Sequence, residues 1–454
     1  MVSEPTDAAG WVSLAEQVLD LAAKAGASQA EVIVQADDAA LTRFANSEIH
    51  QNVAEANARL SLRFVDGQRI GVAATGRFDL AALQAVAGTA AQIARNVEPN
   101  TDFITLPRPG PEPIPELAAA YSEATADATP ELRAEGARAV IAEADAAGVT
   151  AYGSFATTTE TIIVANSLGV RASGARTTSQ LITVSMGPSG GSGYAEMAAV
   201  DATRIDAAAI GREASSRAKA TANAASIEPG DYPVVLETYA VVDVLDMLGY
   251  LGFSALAVQE GRSFVELGKQ VGSKLVTILD DGADPAGLPM AFDYEGVAKQ
   301  RVALMTKGVC TGVVYDGQTA ARDGVQSTGH GLPAPNPYGP FPLNMVMEAG
   351  TSSRDELIGG LDRGLLVTRF HYTNPVHPKL AIVTGMTRDG TFLVEDGKIV
   401  GPVKNLRFTQ SYLDAIAAIS AVGRDRRCLK GFLGGVVVPA VRIDSWTFTG
   451  ATEH

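Results

Sequence analysis

TGMTRDGTFLVEDGKIVGPVKNLRFTQS, residues 384–411, is a series of short runs rich in Val, Ile, Thr and Phe, interrupted by Asp389-Gly390 and Asp396-Gly397. Asp-Gly supplies the positive φ that tight hairpin turns need, and β-branched and aromatic residues suit the pleated surface between turns. The same punctuation recurs at Asp281-Gly282 and Asp316-Gly317. The chain from Gly230 onward therefore predicts an antiparallel, β-rich unit, a barrel or a sandwich. Two helical interruptions are expected in it, over 238–259 and 411–422.

Upstream, helical and strand patterns alternate. Trp11, Leu14, Ala15, Val18, Leu19 and Ala22 share one helical face, with Gly26 placed as a C-terminal cap. Residues 31–36 (EVIVQA) read as a strand and 41–51 as a second. Residues 58–74 predict a hairpin, in which Leu60, Leu62 and Phe64 alternate with Ser61 and Arg63 before an Asp66-Gly67 turn. Residues 79–97 have helical spacing. Prolines at 99, 107, 109, 111, 113 and 115 make the next stretch an extended connection, because proline lacks the N–H that helices and central strands use. A helix is predicted over 129–147, capped by Thr129 with Pro130 in its first turn. Strands follow near 151–156, 160–165 and 177–186, then a turn over 187–193 and a helix near 206–224. The expected fold is α+β. It comprises an N-terminal mixed α/β region with antiparallel strands and packed helices (1–97), a Pro-rich connection (98–128), a middle α/β region continuing the first (129–225), and a β-rich, barrel- or sandwich-like domain (226–454).

Composition limits function. The 454 residues are 46% hydrophobic, enough for more than one core, and carry 36 Lys+Arg against 51 Asp+Glu, a formal charge of -15. Such a surface repels phosphate backbones and anionic lipid, so neither nucleic acid nor membrane is expected as a partner. Two cysteines, Cys310 and Cys428, exclude a disulfide framework and a four-cysteine metal site. The acidic opening MVSEPTDAAG has no apolar core of a signal peptide, and the apolar run 432–441 is half a bilayer span interrupted by Pro439. A cytoplasmic protein is expected.

The chemical motifs are sparse. Of five histidines (His50, His330, His371, His377 and His454) none precedes a glutamate, so no zincin motif is present. His371 and His377 are the one close pair, interrupted by Pro375; a metal site there needs a third ligand, such as His330 or Cys428. Ordinary loop hydrogen bonding is the commoner use of such residues. GPSGG (187–191) matches G-x-S-x-G, yet a nucleophile elbow needs a helix immediately after it, and a turn explains the tract better. STGHG (327–331) and NPYGPFP (336–342) form a Gly/Pro-rich loop around His330, a candidate functional loop or a rigid surface one. Cys310, in an apolar context, reads as a buried small hydrophobe, and Cys428 follows three arginines that favour a thiolate.

Several blocks resemble the TldD/TldE (PmbA) family, long labelled modulators of DNA gyrase: LTRFANSEIHQ (41–51), GDYPVVL (230–236), STGHGLPAP (327–335), GLLVTRF (364–370), the opening stretch 384–411, and PAVRI (439–443). The resemblance implies a peptidase system. Its TldD-type members carry a helical H-E-x-x-x-H zinc motif shortly after the VVL strand, with the glutamate as base for the attacking water. The corresponding positions here are Asp246, Met247 and Leu251, and no histidine lies between His50 and His330. The expectation is a TldE/PmbA-like subunit without its own zinc or catalytic residues. It would pair with a zinc-bearing TldD-type subunit in a heterodimer acting on short or unfolded peptides, with a homodimer open to the isolated chain. Two rivals stand beside it: a self-sufficient metallopeptidase using His371, His377 and His330 or Cys428, and a non-catalytic peptide-binding or regulatory protein.

Overall fold

The computed structural model describes residues 7–432 and 434–451; the opening residues 1–6 and His454 lie outside them. Six strands form the first sheet: β1 (Gln29–Ala45), β2 (Glu48–Asp66), β3 (Arg69–Thr75), β4 (Thr150–Asn166), β5 (Arg171–Met186) and β6 (Ser192–Ala199). Their order is β3-β2-β1-β4-β5-β6, antiparallel throughout. The predicted hairpin forms, with Gly67 at φ +61 between β2 and β3. The stretch 41–51 is not a separate strand. β1 runs unbroken to Ala45, and Asn46 and Ser47, both at positive φ, turn it into β2. Asparagine and serine tolerate that conformation through local hydrogen bonds, a weaker sequence signal than glycine.

Strand periodicity divides the sheet into two faces. Ile163 and Ala165 of β4, with Val32, Val34, Leu60 and Leu62, pack under α1 (Ala8–Lys24) and α2 (Leu80–Asn96). Further along the same face, after the short α3 (Glu123–Ala126), α4 (Pro130–Ala147) and α5 (Ala207–Ala220) cover Phe155, Leu181 and Ala195. α4 begins as predicted, with Thr129 accepting from Leu132 N. Ile33, Ile162, Val164 and Ala172 point the other way, against Met290, Phe292, Phe341 and Leu343 of the C-terminal unit.

That unit contains β7 (Gly230–Leu236), β8 (Ile278–Asp280), β9 (Val302–Thr306), β10 (Val309–Cys310), β11 (Met345–Met347), β12 (Arg363–His377), β13 (Ile382–Glu395), β14 (Lys398–Pro402), β15 (Leu406–Ser411), β16 (Ile419–Lys430) and β17 (Gly435–Ala451). The run β7-β12-β13-β15-β17 returns to β7 through a β17–β7 pairing, so five strands close into a barrel. Phe370, Phe408, Trp446 and Tyr412 fill its core, with Phe370 and Trp446 stacked at 4.9 Å. The pairing is mixed and not antiparallel throughout: β12 runs parallel to β7, and β11 to β17. A parallel neighbour requires a long crossover, and the stretch 237–362 supplies one for β7 and β12. It contains α6 (Thr238–Leu251), α7 (Ala255–Gln259), α8 (Gly317–Asp323) and α9 (Arg354–Gly359).

Of the Asp-Gly pairs at 281, 316, 389 and 396, only Asp396-Gly397, between β13 and β14, is a hairpin turn. Asp389 and Gly390, both at positive φ, form a bulge inside β13, where the register against β12 slips. Asp316 caps α8, and Asp281 opens the loop after β8. The helix expected over 411–422 is shorter, α10 (Tyr412–Ala417), because the chain resumes as β16. No helix among the described residues is long and apolar enough to cross a membrane.

Candidate functional site

β6, α6, β12 and the end of β16 converge on a cleft of about 300 Å³. On β6, Tyr194 and Glu196 are two apart and so share a face. On α6, Tyr239, Asp243 and Asp246 follow i, i+4, i+7 and share a stripe, while the apolar Val241, Val244, Leu245 and Leu248 pack into the core. Arg369 arrives from β12, Lys430 from the end of β16 and Phe432 from the chain just after it. Phe432 is 77% exposed, an aromatic ring at the rim.

Burial dominates the electrostatics. It pushes Asp243 up to about 6, against the opposing hydrogen bonds from Thr373 Oγ1 (2.6 Å) and Tyr412 OH (2.8 Å). It pushes Asp246 up to about 7, opposed by Phe432 N, which donates at 2.8 Å, and aided by the charge of Asp243. Glu196 is likewise raised by burial, although Tyr194 OH donates to it at 2.8 Å. The Arg369 guanidinium lies 4.2 Å from the Tyr194 ring centre and donates to Asp389 at 2.6 Å. Behind the cleft, Arg427 and Arg217 flank the Tyr239 ring and pair with Glu213. The cleft thus presents carboxyl groups that exchange protons near neutrality beside a fixed guanidinium, a surface suited to amide and amine groups.

Zinc does not fit these residues. Both Asp243 oxygens and one Asp246 oxygen already accept from protein donors that would face a cation. Met247 is partly buried against the core and Leu251 lies within it. Burial pushes Cys428 up to about 12, with the charges of Glu196 and Asp284 adding to the rise, so it remains a thiol and not the thiolate expected from the adjacent arginines. Among the described residues no group of three His, Cys, Asp or Glu is placed to hold a metal.

The three candidate histidines have separate surroundings. His371 and His377 both lie on β12, but register slips occur between them; His377 is exposed and accepts from Leu380 N at 3.3 Å. His330 is wholly buried, with Nε2 2.8 Å from Asp280 and Nδ1 2.9 Å from Thr328 Oγ1. That Thr-His-Asp chain has the outline of a catalytic triad, but its threonine is tied to the Tyr315 backbone, and Lys299 neutralises Asp280 from 3.1 Å. It ties the Gly/Pro-rich loop around His330 to Asp280 of β8. Ser189 sits in a turn followed by β6, which removes the nucleophile elbow. Sequence reasoning passed over Asp243, Glu196, Tyr194 and Arg369. Two acids three apart in the otherwise apolar TYAVVDVLDMLGYL were the available signal.

The chain matches the PmbA/TldA metallopeptidase C-terminal domain over residues 229–450, the central domain over 106–222 and domain 1 over 30–94. The crystal structure of TldE from Thermococcus kodakarensis superposes with a TM-score of 0.88 at 20% identity, covering 96% of this chain and 100% of that one. Sequence relatives include a metalloprotease TldD homolog from Haemophilus influenzae, 29% identical over 54% of each chain. Another from Buchnera aphidicola is 28% identical over 49% of this chain and 48% of its own length. The matched region thus spans about half the length of these relatives.

Proposed function

The chain belongs to the PmbA/TldD metallopeptidase family, and from that premise we propose that it is the non-metal-binding, TldE/PmbA-like subunit of a two-subunit peptidase. Its partner is a zinc-bearing subunit of the same family, and its substrates are short or unfolded peptides in the cytoplasm. The observation that carries this reading is the α6 stripe. Where the resemblance places the zinc motif, this helix carries Asp246, Met247 and Leu251: Asp246 accepts from Phe432 N, Met247 packs against the core and Leu251 lies within it, without imidazole or free thiolate beside them. The role left to the chain is to bound the peptide chamber and orient substrate, with the Asp246 carboxyl and the Arg369 guanidinium available to backbone amide and carbonyl groups.

The test is metal content by elemental mass spectrometry together with cleavage of an unfolded peptide, with and without a zinc-bearing family subunit. The expected result is less than a tenth of a zinc per chain and cleavage only in the mixture. Stoichiometric zinc, or chelator-sensitive cleavage by the chain alone, overturns the proposal.

A further inference from the structure

The most voluminous recess described, about 930 Å³, lies away from the α6 cleft, between β5 and the proline-rich connection. Six consecutive residues of β5, Arg171 to Arg176, form one wall. Consecutive residues line a recess only when the strand shows it an edge, since successive side chains point to opposite faces. The register explains the open edge. β6 pairs with β5 only over Ser179 to Met186, and Thr177 is tied to Val200 and Ser122. Among the described residues, the backbone of 171–176 on that side has no hydrogen-bond partner.

The opposite wall is the stretch 113–118. Prolines 111, 113 and 115 alternate, so in an extended chain their missing N–H groups fall on one side. In the structure this segment lies across from β5 without pairing with it as a strand. Edges left open are normally blunted by proline, lysine or a covering element. RASGAR (171–176) carries no such block on its backbone: Arg176 is turned to Glu160 and Arg171 to Glu16. On the face shared by Ala172 and Gly174 the recess has an apolar floor, with Met290 and Phe292, whose ring lies against Gly174.

We propose that this recess binds an extended peptide segment, which adds to β5 as a further strand. Six edge residues offer roughly 20 Å of backbone at about 3.3 Å per residue, enough for a five- or six-residue segment. Alternate side chains of the guest meet Met290 and Phe292 and should be apolar. Charge selects the rest. The two arginines are already paired, whereas Glu116 and Glu123 line the recess without an ion-pair partner among the described residues, so the guest's other side chains are neutral or basic. A second folded copy is disfavoured, since the recess is walled on both sides and admits a single chain. This site is separate from the α6 cleft and does not depend on the pairing of subunits.

The test uses the full chain and a fluorescein-labelled nonapeptide alternating lysine and valine, beside an N-methylated counterpart that cannot donate to a strand and a version with glutamate for lysine. Anisotropy should show saturable binding of the first, with the other two at least tenfold weaker. Hydrogen exchange should slow at 171–176 on binding. Charge reversal by Glu116→Lys with Glu123→Lys, both exposed, should favour the glutamate peptide. Absence of binding, equal binding of the N-methylated peptide, or no slowing at 171–176 would overturn the site. Slowing confined to 429–432 would also overturn it, while leaving a peptide at the α6 cleft and the proposed function intact.

Discussion

Two buried aspartates carry opposite pH signatures. Asp246 has a folded value of about 7 against an ordinary 3.8, raised by burial. Its contribution to stability is complete below about pH 4 and is lost as pH rises through 7, a change of up to about 4 kcal/mol. Asp246→Asn can still accept from Phe432 N, so it should remove most of that slope; urea midpoints at pH 5 and pH 8 check this, and an unchanged slope would refute it. Asp280 behaves in the other sense. Burial alone would raise it, but Lys299 and His330 hold it below the usual carboxylate range, so its stability is present at neutral pH and lost in acid. Asp280→Asn leaves Lys299 buried beside a neutral group and should cost about 3–5 kcal/mol, read as a lowered urea midpoint at pH 7. Neither role was legible from sequence. Asp280 lies fifty residues from His330, and Asp246 came to notice only through its alignment with a lost ligand.

Elements were more legible than contacts. Hydrophobic period and capping placed α4 and the β2–β3 hairpin well, because local backbone preference and burial there agree. The Asp-Gly pairs misled, since the same dipeptide serves a hairpin at 396–397, a bulge at 389–390 and a helix cap at 316, and tertiary context chooses among them. The bulge has a use: it aims Asp389 at Arg369 and at Ser192 of the first sheet, each at 2.6 Å. Glu237, at the start of α6, gathers elements in the same way, accepting from Arg217 of α5 and from both Arg354 nitrogens of α9. Glu237→Ala would leave the mostly buried Arg217 cation with Glu213 in place of two carboxylate partners and should cost about 2–3 kcal/mol, whereas Arg354→Ala removes a half-exposed partner and should cost under about 1 kcal/mol. Thermal melts of both variants decide this; equal losses would place the weight on α9 instead.

The whole molecule is joined across the face of the first sheet that the helices leave bare. There the apolar contact of Ile33, Ile162 and Val164 with Phe292, Phe341 and Leu343 is accompanied by the Arg63 cation, which sits 2.6 Å from Glu31 and 3.5 Å from Glu295. Glu31 and Glu295 are both raised by burial, Glu295 to about 8, with Arg63 the chief opposing influence on each. An apolar junction of this kind should make the two units unfold together. The two tryptophans report on it separately, since Trp11 lies in the core under α1 and Trp446 in the barrel. Single-tryptophan variants, Trp11→Phe and Trp446→Phe, should give coincident urea transitions. Arg63→Leu leaves two buried carboxyls without a counter-ion, and their folded values rise further above their unfolded ones. Stability is then lost as pH climbs from about 4.5 through 8, so the variant should be penalised more at pH 8 than at pH 5. At pH 8 the two probes should separate, with the first sheet and the barrel melting at different urea concentrations. Coincident transitions in the Arg63 variant at both pH values would mean that the apolar contact alone couples the units.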